Sequence, residues 1–79
     1  MTRKYYQITS LERGIKVLEL LAEQKALTVS EVGVHLSMQR SAAHRFLATL
    51  KDLGYVEKNE NNRYQLTSRI LEIGEKVIR

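Results

Sequence analysis

Two amphipathic segments meet with almost no chain between them, and that junction limits the folds open to this sequence. Thr28-Val29-Ser30-Glu31 has the form of a capping box, in which hydroxyl and carboxylate each accept from the other residue's backbone amide. It predicts a helix over 29–36 with Val29, Val32 and Leu36 on one face. A helix of roughly two turns is not stable alone in water, so it must dock on something. Ser37-Met38 breaks the pattern. A further helix is predicted over 39–53, with a buried stripe of Ala43, Phe46 or Leu47, Leu50 and Leu53. Gly54 ends it, because glycine tolerates the left-handed conformation common at helix C-termini. With so short a connection the two helices cross steeply, setting Val32 and Leu36 against Ala43 and Leu47.

The flanking sequence completes the pattern. Ser10 reads as an N-cap for a helix over 11–24 whose apolar face is Leu11, Ile15, Leu18 and Leu21 with Ala22. After Gly54, two short strands (55–58 and 63–66) surround the polar tip Asn59-Glu60-Asn61-Asn62, which predicts a hairpin with Val56, Tyr64 and Leu66 in the core. Thr67 or Ser68 caps a last helix carrying Ile70, Leu71, Ile73, Gly74, Val77 and Ile78, expected to run to the final Arg79. The expected fold is mainly α with a small β-hairpin, in the order of a winged helix-turn-helix. The expected organisation is an N-terminal arm over 1–9, the winged domain over 10–67, and from 68 the start of a helix leading elsewhere.

At 79 residues the chain has room for one domain. Catalysis finds little support: cysteine is absent, Asp52 is the only Asp, and His35 and His44 lack the four-residue spacing of a helical metal pair. The glycines at 14, 33, 54 and 74 are too scattered to cradle a phosphate, so neither an enzyme nor a cofactor is expected. No apolar run reaches the ~20 residues that span a bilayer. With no secretory signal at the N-terminus either, the expectation is a cytoplasmic protein without a membrane partner. The net charge of +4 favours a polyanion, and its distribution sharpens that reading. From Ser37 to Lys51 the charged residues are Arg40, Arg45 and Lys51, with no acid among them.

Fixing the buried stripe of the helix over 39–53 fixes its outward face. Near the start that face carries Gln39, Arg40, Ser41, His44 and Arg45; Thr49 lies further along. Arg and Gln can pair with guanine and adenine edges, while Ser and Thr suit bases or phosphates. Arg40 is the candidate base reader and Arg45 a backbone anchor. His44 is equally well read as a half-exposed structural histidine, and Gln39 as part of the helix start. Ser30 is a candidate phosphate donor or a plain cap-region serine. On the hairpin, Lys58 and Arg63 flank a tip suited to press on the backbone, Arg63 is the candidate contact to the backbone or minor groove, and the Asn residues read as a turn tolerating positive φ. Arg3 and Lys4, with Tyr5 and Tyr6, form either a DNA-reaching arm or a frayed terminus. The competing reading is a winged helix used for protein–protein contact.

These pieces resemble, in order and spacing, the DNA-binding domain of IclR-type (isocitrate lyase regulator) transcription factors. The matching stretches are Ser10-Leu11-Glu12-Arg13-Gly14, Leu27 to Val32, Arg40 to Leu50, Leu53-Gly54-Tyr55-Val56 and Arg63 to Thr67. Leu71-Glu72-Ile73-Gly74 looks like the family's linker helix. Gln39 stands where the family usually has Pro, and Thr67 where it usually has Gly. The resemblance implies a bacterial regulator that binds near-palindromic double-stranded operators as a homodimer. Any small-molecule effector would then act through a C-terminal domain lying outside this chain. Leu20, Ile70 and Ile78 are the apolar candidates for a dimer contact.

Overall fold

A computed structural model describes residues 7–78. The elements run α1 (Thr9–Gln24), α2 (Val29–Leu36), α3 (Arg40–Asp52), β1 (Val56–Lys58), β2 (Tyr64–Leu66) and α4 (Arg69–Val77). The strands pair antiparallel, Val56 opposite Leu66 and Lys58 opposite Tyr64. Helices α1–α3 with a hairpin wing make a winged helix-turn-helix, mainly α, as the sequence predicts. Residues 1–6, and with them the arm of Arg3, Lys4, Tyr5 and Tyr6, lie outside the described residues.

The capping box at α2 forms in full. Thr28 Oγ1 accepts from the Glu31 amide at 3.2 Å, and Glu31 Oε1 accepts from the Thr28 amide at 2.9 Å. At the other end Ser37 turns left-handed, with φ 55°, and the Met38 amide donates to the Gly33 carbonyl at 2.9 Å. This turn fits only because residue 33 is glycine: a Cβ there would lie 2.8 Å from the Met38 carbonyl oxygen. Gly54, at φ 89°, ends the α3 segment as expected.

Val17, Leu20 and Leu21 of α1, Leu27, Val29 and Val32, Ala43 and Leu47 of α3, and Val56 and Tyr64 of the wing make one core. Leu47 takes the central place and Phe46 packs on the flank, which settles that pair. Leu27 also pairs with Tyr64 through two backbone hydrogen bonds, 2.7 and 3.0 Å, fastening the wing to the segment just before α2.

Several local expectations need correction. Helix α1 begins at Thr9 behind Ile8, so Ser10 lies inside the helix and caps nothing. Its inner face is Val17, Leu20 and Leu21, whereas Leu11 and Ile15 are exposed. Leu21 of the expected stripe is core and Leu18 packs against it, so the buried face overlaps the expected one and takes Val17 and Leu20 in place of Leu11, Ile15 and Ala22. Two apolar stripes run along it, and only docking chooses between them. Leu20, proposed for a dimer contact, is therefore core. Leu53, expected buried, is 56% exposed beyond the last turn of α3, which starts at Arg40 with Gln39 as its N-cap. Ser68 occupies the N-cap of α4 without a side-chain bond, while the Thr67 hydroxyl accepts from the Arg69 amide and donates to the Gly54 carbonyl. Helix α4 ends at Val77, with Ile78 extended.

Candidate nucleic-acid interface

Helix α2, the start of α3 and the wing enclose an open cleft of about 580 Å³. Five of the sequence-predicted site residues meet in its lining: Ser30, Arg40, Ser41, His44 and Arg45. The capping box fixes where Ser30 points, in the first turn of α2. The three-residue turn and Gly33 then bring Arg40 alongside, and its Nε donates to Ser30 Oγ at 3.3 Å. That bond uses Ser30 as an acceptor and leaves its own O–H to donate outward, as a phosphate oxygen requires. Ser41, His44 and Arg45 follow on the exposed side of α3. Gln39 makes no side-chain cap bond, so the first amides of α3 remain without a side-chain acceptor. Free amides at a helix start favour an anion.

Lys58, Asn62 and Tyr64 bring the wing into the same cleft. Lys58, read from the sequence as flanking the wing tip together with Arg63, sits opposite Tyr64 in the hairpin register and joins the cleft lining. Among the described residues no Asp or Glu lines the cleft, so the charged side chains in its lining, Arg40, Arg45 and Lys58, are all positive. Fields of one sign in a concave surface concentrate the opposite charge.

The three other candidates stand elsewhere. Gln39 sits at the α3 N-cap, exposed and just outside the cleft lining. Thr49 lines a separate apolar groove between α1 and α3, with its hydroxyl donating to the Arg45 carbonyl at 2.8 Å. Arg63 is not among the residues lining the cleft and forms a 2.9 Å ion pair with Glu31. Glu31 is held below the ordinary carboxylate range, first by the Thr28 backbone amide and then by the Arg63 charge.

Residues 10–60 match the family model of the IclR helix-turn-helix domain. The chain belongs to the IclR helix-turn-helix family. It is 32% identical over 72 residues to the transcriptional regulator KdgR of Dickeya chrysanthemi, covering 90% of this chain and 24% of that protein. Against the glycerol operon regulatory protein of Streptomyces coelicolor the identity is 38%, covering 85% of this chain and 27% of that one. The crystal structure of an IclR transcriptional regulator from Alicyclobacillus acidocaldarius superposes with a TM-score of 0.85 at 27% identity, over 91% of this chain and 30% of that chain. The chain thus spans about a quarter of the length of these curated relatives. An IclR helix-turn-helix unit is a DNA-binding domain of transcriptional regulators, and the relatives are regulators, not enzymes. Among the described residues no helix is long and apolar enough to cross a membrane.

Proposed function

We propose that this domain reads a specific double-stranded operator, with α3 in the major groove and the wing over 55–66 on the backbone or minor groove. The observation that carries the reading is the acid-free cleft gathering Ser30, Arg40, Ser41, His44 and Arg45 on one face. Arg40, at the leading turn of α3, reads base edges beside Ser41 and His44. Arg45 and Ser30 anchor phosphates, while Gln39 and Thr49 border the contact at its two ends. Two copies bind a near-palindromic site one helical turn apart, about 34 Å. Exposed apolar residues of α4 and the apolar groove between α1 and α3 are the surfaces left for pairing the copies. In the whole regulator, which acts in the cytoplasm, residues from 68 onward form a linker to a C-terminal domain that senses a small molecule.

Selection of bound duplexes from a random pool tests this reading. Enrichment of a two-fold symmetric consensus is the expected result. Recovery of unenriched sequence would remove specific recognition from the account.

A further inference from the structure

The wing carries two cations, Lys58 and Arg63, and the structure treats them differently. Arg63 Nη1 lies 2.9 Å from Glu31 Oε1, the same oxygen that accepts from the Thr28 amide at 2.9 Å. Both side chains of the pair are 43% exposed, so position alone does not prevent Arg63 from meeting a phosphate. Its charge does: a carboxylate in contact cancels most of the attraction a distant anion feels. The backbone around Arg63 is also tied down. Its amide donates to Asn59 Oδ1 at 3.1 Å, its carbonyl accepts from the Asn59 amide at 2.8 Å, and the neighbouring Tyr64 is bonded to Leu27. Every one of these contacts joins the wing tip to itself or to the start of α2.

Lys58 is placed differently. Its ammonium sits 5.8 Å from the centre of the Tyr64 ring, over a side chain that is core on its other face. Among the described residues no ion pair engages it, and it lines the cleft with Arg40 and Arg45. An ammonium held near an aromatic face by cation–π attraction is partly ordered beforehand and has less freedom to lose on binding a phosphate.

We infer that Arg63 is a positioning residue, holding the wing against α2 through Glu31, and that Lys58 supplies the wing's phosphate contact. The inference rests on the DNA-binding reading. Each phosphate contact adds about 0.9 to the slope of log affinity against log salt.

The test measures duplex binding of the full chain at several salt concentrations for the wild type, Lys58→Gln and Arg63→Ala. It also follows amide hydrogen exchange at Leu27 and Tyr64. With Lys58→Gln the slope should fall by about one, so the affinity lost between about 50 and about 200 mM salt shrinks roughly 3.5-fold. Exchange at Leu27 and Tyr64 should not change. With Arg63→Ala affinity should fall at an unchanged slope, and both amides should exchange faster. A slope lowered by Arg63→Ala and untouched by Lys58→Gln overturns the assignment, as does unchanged exchange in Arg63→Ala. Failure of the DNA-binding reading would look different: the wild type itself would form no salt-sensitive complex.

Discussion

Replacing Gly33 by Ala sets two physical effects of opposite sign against each other. Gly33 lies inside α2, where helix propensity alone favours Ala by about 1 kcal/mol. In a domain of this size that gain would raise Tm by roughly 4–8 °C. The new Cβ, however, would stand 2.8 Å from the Met38 carbonyl oxygen, where ordinary contact begins at 3.4 Å. The turn must therefore open by about 0.6 Å, a backbone movement that no side-chain rotation can absorb. It would do so against the 2.9 Å hydrogen bond from the Met38 amide to the Gly33 carbonyl. Overpacking of this kind costs about 1–3 kcal/mol, so the net effect is a loss of up to about 2 kcal/mol. Arg40 begins two residues beyond Met38, so the shift reaches the cleft. Calorimetry and duplex titration should find a lower Tm and a weaker specific complex. Gly74→Ala in α4 is the control: among the described residues, nothing beyond its chain neighbours and its own helix backbone would lie within 4 Å of the added Cβ, and it should stabilise by up to about 1 kcal/mol. A Gly33→Ala protein with a raised Tm and undiminished affinity would refute the reasoning.

Three further outcomes follow from the same contacts. Arg40→Ala should weaken binding to a selected operator by about 1–3 kcal/mol and relax discrimination at one base position, read by competition with single-base variants. Leu47→Ala, at the fully buried centre of α3, should cost about 2–5 kcal/mol in urea unfolding, through lost transfer energy and the cavity left behind. Because Glu31 titrates below its ordinary range, the stability from its bonds to Thr28 and Arg63 is complete above that range and disappears as pH falls through the lowered value. In an acid series of Tm, Glu31→Gln should flatten the slope in that interval, and an unaltered slope would deny Glu31 the role.

What the sequence made legible was whatever local chemistry decides. The Thr28–Glu31 capping box, the Gly54 stop and the hairpin tip each follow from interactions within a few residues, and all three stand where expected. The full buried face of α1 did not follow, because Leu11 and Ile15 are as apolar as Val17 and Leu20 and only the arrival of α2 and the wing distinguishes them. The same holds in the cleft. Residues from Arg40 to Arg45 lie on one helix, so their shared face is set by periodicity. Arg63 and Glu31 are 32 residues apart, and their pairing depends on where the Leu27–Tyr64 bridge seats the wing. Gly33 carried a signal that spacing alone could not interpret, since the atom it makes room for belongs to the turn that follows.

The most direct measurement is the salt dependence of duplex binding for the wild type beside two neutralised arginines. Arg45 lines both the cleft and the apolar groove, whereas Arg13 lines the groove between α1 and α3 and not the cleft. Affinity should fall steeply with rising salt, with a slope smaller by about one for Arg45→Gln and no change for Arg13→Gln. Equal effects of the two substitutions, or a complex indifferent to salt, would contradict the DNA-binding reading of the cleft.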